Sequence, residues 1–219
     1  MQTLFTWLLM LVLGGSVLSL LAMGLGQVRR ANRLARQAHH RRMSFAGADP
    51  FDIPVRYRNL ALVCSGHSAH AHNITHGRLA GWPVRACDLR FECGHGTRRL
   101  TRHYSVVLAE TDIDLPPLLM WHEHDQDNTP MAVRRSERQQ GPWSCLGDER
   151  LGQLLTSPWA GDPPRPVSLQ ILGHVLMLCC PVTRRKDDYQ PLLDMLAGTL
   201  ARLNDAPARQ AVATGGVSQ

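Results

Sequence analysis

Apolar positions along this chain fall into three regimes. From Leu4 to Leu25 they run almost unbroken. From about residue 58 to Cys180 they come in short runs, several alternating with polar residues, and from Asp188 to Leu203 they return every third or fourth position. The first regime predicts a membrane-spanning helix. Its 22 uncharged residues rise about 33 Å as an α-helix, enough for a hydrocarbon core of about 30 Å. Only a helix satisfies the backbone of a single spanning segment internally.

The second regime predicts strands. Cys87, Leu89, Phe91 and Cys93 share one face of the run Val84–Cys93, with Asp88, Arg90 and Glu92 on the other, the period of two of a half-buried strand. Gly94-His95-Gly96-Thr97 then signals a hairpin into a strand over Arg99–Glu110. The run Asp114-Leu115-Pro116-Pro117 is expected to break that strand, with another at Leu118–Glu123 and a further one at Met131–Arg135. Arg58–Ser65 reads as a first strand or as the end of a short extended arm, and the polar stretch Ser65–His76 reads as loop. Asp148 is placed to cap a helix reaching Thr156, and Val167–Ile171 with Val175–Cys180 reads as a second hairpin around Gly173-His174. The third regime, with Leu192, Leu193, Leu196, Leu200 and Leu203 on one side and Asp188 at its start, predicts an amphipathic closing helix. The fold class expected is α+β: an N-terminal transmembrane helix, a mostly antiparallel sheet, a mid-domain helix and a C-terminal amphipathic helix. The domain organisation expected is an anchor over 1–28, a basic juxtamembrane helix and linker over 29–57, an α+β domain over 58–204 and a disordered tail over 205–219.

Charge adds orientation. The formal net charge of +6 resides in Arg29, Arg30, Arg33, Arg36, Arg41 and Arg42, and the rest of the chain balances to zero. Basic residues flanking a spanning segment stay in the cytoplasm, so the N-terminus is expected outside and the domain in the cytosol. A cleaved signal peptide would carry its positive residues before the apolar run, not after it. The six arginines are expected to face the anionic inner leaflet. The sequon Asn73-Ile74-Thr75 would then lie on the wrong side for glycosylation. Arginine stands in for lysine nearly everywhere, Lys186 being the one exception, which reads as coding bias of a GC-rich bacterial genome and suggests the inner membrane of a bacterium. Gly15, Ser19, Ala22 and Gly26 step by four, three and four along one helix face, a stripe that would let two copies pair through the membrane helix.

Two places carry metal-ligand chemistry. Cys64 with His67, His70, His72 and His76 offers thiolate and imidazole, the ligands zinc takes in tetrahedral array, at a spacing that fits no standard finger. His122 and His124 are two apart on an expected strand and so share a face, with His103 or Asp88 as further ligand candidates. Cys93-Gly94-His95 sets a thiol near a base but lacks an orienting third group. Asp88, Asp112 and Asp114 read as solvated positions. No nucleophile-elbow or zinc-protease motif occurs. The six cysteines have no regular spacing and fit reduced thiols in a cytosolic domain. Arg98, Arg99 and Arg102 make a basic hairpin tip suited to leaflet contact rather than to nucleic acid, since few aromatics stand beside it.

Gly77-Arg78-Leu79-Ala80-Gly81-Trp82-Pro83-Val84, followed by Asp88-x-Arg90-Phe91, His103-Tyr104-Ser105-Val106-Val107, Leu115-Pro116-Pro117-Leu118 and Asp148-Glu149-Arg150-Leu151 with Leu154-Leu155, resembles the motif order of a group of bacterial single-pass membrane-anchored proteins with no established activity. The resemblance spans Gly77 to Asn204, rests on turn and core positions, and implies an anchored domain without assigning a reaction. The functional expectation is therefore a non-enzymatic interaction or scaffold domain with no cofactor, whose partners are the bilayer, a membrane protein and a second copy of itself. The alternative is a metal- or thiol-dependent tethered enzyme, with zinc as its metal.

Overall fold

The computed structural model describes residues 2–128, 139–156, 159, 166–182 and 188–204. The expected strand at Met131–Arg135 and the expected disordered tail both lie outside them. The first helix, α1, runs unbroken over Gln2–His40, about 58 Å at 1.5 Å per residue. It contains one stretch long and apolar enough to cross a membrane. The large side chains of that stretch, among them Phe5, Trp7, Leu11, Leu18, Leu21 and Leu25, touch little of the rest of the protein and are exposed.

Lower down, the same helix enters the domain. Leu34 and Ala38 are buried four residues apart, on one face, and Met43 follows them inward just past the helix end. The stretch read as a basic juxtamembrane helix is a helix, and it contributes to the core. Polar contacts fix it further: Arg41 donates to Asp194 and Gln190, and Gln37 donates to Asp188 at 3.1 Å, which ties α1 to the C-terminal helix.

Seven antiparallel strands form one sheet among the described residues. They are β1 (Ser44–Ala48), β2 (His67–Leu79), β3 (Trp82–Cys93), β4 (Leu100–His122), β5 (Gln139–Gln140), β6 (Trp143–Gly147) and β7 (Ser168–Pro181). β4 is the spine. β7 pairs along one edge of it from Tyr104 to Met120, while β3 and then β6 take successive halves of the other edge. Helix α2 (Ile53–Arg56) precedes β2, α3 (Glu149–Thr156) follows β6, and α4 (Gln190–Asn204) closes the chain. Asp148 Oδ1 accepts from the amides of Arg150 and Leu151 and caps α3 as expected, while Asp188 lies one residue before the cap position of α4, its Oδ1 accepting from the amide of Gln190.

Both faces of the sheet are covered. On one, Val84, Ala86, Val107, Leu176 and Leu178 pack against α1, α3 and α4. On the other, Cys87, Leu89, Phe91, Val106 and Met177 pack against Ile53, Tyr57, Leu60 and Leu62 from the stretch that includes α2. Glu110 anchors that stretch, accepting from Arg56 at 2.7 Å, Tyr57 at 2.6 Å and Arg85 at 3.0 Å.

The α+β class, the antiparallel sheet and the apolar N-terminal helix agree with the sequence; several elements differ. Ser65–His76 is mostly strand, because β2 pairs with β3 from His67 onward and with β1 as well from His72, and that pairing needs no apolar alternation. Phe45 and Ala46 lie in β1 rather than in a linker. The first strand expected within Arg58–Ser65 is instead turn and a short 3-10 stretch over Val63–Ser65. Pro116-Pro117 bends β4 without ending it, since the register with β7 slips on either side of Leu115 and absorbs the missing amide donors. The second hairpin is a single strand, β7, with Gly173 (φ +57°) at the bend opposite Leu115.

Candidate functional site

The covered face of the sheet changes character along β3. Val84 and Ala86 meet helices, but the next residue on that face is Asp88, and then Arg90. Register extends each into a row across three strands: His72, Asp88 and Ser105 in one, His70, Arg90 and His103 in the next. Residues directly opposite on neighbouring strands point to the same side. The end of this face is therefore a polar floor rich in imidazole.

Over the floor lies α1. A cavity of about 650 Å³ separates them, roofed by Gly26, Gln27, Val28, Arg30 and Ala31. Asn73, Asp88, His72 and His103 supply polar surface beneath, and Val182 lies at its side. Gly26 and Ala31 take up little space on the helix face above it.

Asp88 is the hub. It is 6% exposed, and its carboxylate accepts from Arg30 Nε at 2.8 Å, Arg30 Nη2 at 2.6 Å and Asn73 Nδ2 at 2.9 Å. The two-point contact from Arg30 is the strong, planar form of the ion pair. Asn73 reaches it from a bulge in β2, where its own φ is +55° and its carbonyl accepts from the Tyr189 hydroxyl at 3.0 Å. Asp88 is thus a buried acceptor, contrary to its reading as a solvated position. Asn73 is buried and bonded, so the folded chain does not present the sequon for modification, whatever the compartment. The imidazoles at the rim are held toward the neutral form. Burial lowers the pKa of His72, with Arg30 and Arg90 adding to the effect against Asp88; burial likewise lowers that of His103, helped by Arg90 and His72.

The sequence-derived sites are distributed as follows. Arg30 and Arg41 turn into the domain, to Asp88 and to Asp194, while Arg29, Arg36 and Arg42 are exposed and Arg33 is half-buried. Gly15, Ser19 and Ala22 lie exposed on α1, and Gly26 borders the cavity. The zinc candidates are spread along the chain: Cys64 donates to Ala61 O at 3.4 Å, His67 stacks on His95, His70 sits opposite Arg90, His72 opposite Asp88, and His76 meets the Phe51 ring edge-on. His122 and His124 lie with ring centroids 5.1 Å apart, but His122 Nδ1 accepts from the amide of His124 and its ring packs on Trp143. Among the described residues, no three His, Cys, Asp or Glu side chains are grouped to hold a metal ion. Cys93 Sγ donates to Ser65 O, and burial pushes the Cys87, Cys93 and Cys179 thiols up, away from the thiolate that nucleophilic chemistry uses. Arg30, Asn73 and Asp88 were not singled out together by the sequence. The available signal was a lone acid between Cys87 and Leu89, a position more apolar on both sides than a solvated aspartate needs.

No protein-family profile matches the sequence, and no curated protein matches it. The fold is similar to that in the crystal structure of the mycobacterial trehalose monomycolate transport factor A, TtfA, with a TM-score of 0.58 over 80% of this chain and 94% of that one. The two sequences are 12% identical, so the likeness is one of fold.

Proposed function

We propose that this chain is a single-pass, membrane-tethered interaction domain without catalytic activity, held at the cytosolic face of a bacterial inner membrane. The observation that carries the reading is the continuity of α1. A membrane-length apolar segment passes with no break into a turn that is buried in the domain core at Leu34 and Ala38. A flexible tether would merely confine a domain near a surface, whereas a rigid one presents a fixed face to neighbours in the membrane. The excess of arginine after the apolar segment supports the cytosolic orientation. The mycobacterial neighbour is named as a transport factor, which is compatible with the non-enzymatic role proposed for this chain.

Two measurements test the reading. A reporter fused after Asn204 should be active in the cytosol and silent in the periplasm, and the full chain should resist alkaline extraction from membranes. Full-length protein taken up in mild detergent should carry a membrane protein with it in constant proportion across preparations. Periplasmic reporter activity, release by alkali, or recovery of the chain alone under several growth conditions would each count against the proposal.

A further inference from the structure

The cavity beneath α1 begins where the apolar segment ends. Leu25 is the last of the expected spanning residues, and the roof runs from Gly26 to Ala31, so Arg30 lies about 7.5 Å beyond it along the helix axis. The headgroup layer on each side of a bilayer is about 5–8 Å deep. A membrane that holds the apolar segment therefore brings its headgroups to the level of this cavity.

Its chemistry favours a negative guest. Within the lining Arg30 offsets Asp88, whose lone pairs are committed to Arg30 and Asn73, and Arg90 adds a positive charge just outside it, close enough to lower the pKa of His72 and His103. Arg90 is exposed, and the pairing sets it between His70 and His103, the second of which lines the cavity. His72 and His103 add ring N–H donors. In the same cross-strand row Ser105, across from Asp88, is 0% exposed, and its hydroxyl has no hydrogen-bond partner among the described residues. Above the polar floor the wall turns apolar at Val28, and the exposed leucines of α1 continue from there.

We propose that this groove seats the phosphate of an anionic phospholipid taken laterally from the bilayer, with Arg90, His72 and His103 as donors and the acyl chains lying along α1 above Val28. The site rests on the reading that the apolar segment sits in a membrane. It makes the domain a reader of lipid composition as well as a tethered module. A free phosphate shares the headgroup chemistry but lacks the chains, so the two sources differ in what they need from Val28 and the helix above.

The test uses the full chain in nanodiscs of phosphatidylcholine, with or without a minor share of phosphatidylglycerol, followed by native mass spectrometry of lipid retained on release. Wild type should keep phosphatidylglycerol in preference to phosphatidylcholine. Arg90→Ala with His103→Ala should weaken that preference about fivefold or more, and Arg90→Lys should restore part of it. Both positions are exposed, so thermal unfolding should be unchanged. Equal retention of the two lipids, an unaltered preference in the double variant, or competition by inorganic phosphate as effective as by phosphatidylglycerol would overturn the proposal. Alkaline extraction of the same variants reads the tether separately: a chain that stays in the membrane but shows no lipid preference refutes the site alone.

Discussion

Asp88 and Arg30 are 58 residues apart in sequence and meet in a largely closed space, with side chains 9% and 12% exposed. Removing one partner of such a pair leaves the other charge without its bonds, which costs more than the pair contributes over an apolar replacement. Asp88→Asn should lower stability by about 3 kcal/mol in denaturant unfolding, whereas the combined Arg30→Met and Asp88→Leu should lie within about 1 kcal/mol of wild type. A change below about 0.5 kcal/mol for Asp88→Asn would show that the pair is solvated in solution. The imidazoles give a pH dependence of definite sign. His72, His103 and His122 all have folded pKa values below the unfolded 6.5, so in the window between the two values the unfolded chain binds more protons. Stability should therefore be flat above about pH 7 and fall as pH drops through 6.5. Glu110 contributes in a lower window. Burial opposes its ionisation, but bonds from Tyr57 and Arg85 and the charges of Arg85 and Arg56 hold its pKa below 4.5, so that stabilisation is lost only as pH falls further. Unfolding followed from pH 8 to below 4 in detergent checks both signs.

At the scale of elements, α1 divides into two functions at about Gly26. Leu34 is 1% exposed in the core shared with α4, and Leu18 faces away from the protein. Leu34→Ala should cost about 3 kcal/mol of domain stability, while Leu18→Ala should leave domain unfolding unchanged. Equal effects would mean that the helix docks differently. How far these elements could be read in advance depends on what supports them. β3 and the closing helix were legible because their own side chains carry the period that buries them. β2 was not, since His67, His70 and His72 look like loop and the strand is held by its pairing with β3, joined by β1 from His72 on. Pro116-Pro117 misled for a related reason: a proline ends a strand only where the ladder has no slack, and the slipped register beside Leu115 supplies it. Of the site, the histidines were visible and their geometry was not. They read as a metal cluster along a loop, whereas the pleat and pairing sort His70 and His72 into separate rows, one with Arg90 and one with Asp88. Arg30 reads in the sequence as one of six leaflet-facing arginines, because its partner Asp88 is fixed by tertiary contact alone.

For the whole molecule, the boundary of the folding unit follows from the two cores. A soluble fragment starting at Met43 would discard Leu34 and Ala38 and strip Arg30 from Asp88, exposing the sheet face over which they pack. A fragment starting at Gln27 keeps all three. The longer one should be monomeric with a cooperative unfolding transition, and the shorter should aggregate or unfold at markedly lower denaturant. Size-exclusion chromatography with denaturant titration distinguishes them, and equal behaviour would place the helix outside the cooperative unit.

If the apolar part of α1 sits in a bilayer as proposed, its unbroken passage into the sheet has a mechanical corollary. Spanning helices tilt to match the thickness of the membrane around them. With no hinge between Leu25 and Leu34, any lean of the buried rod becomes a swing of the entire sheet. Bilayer thickness would thus be geared directly to the angle at which this domain meets its neighbours.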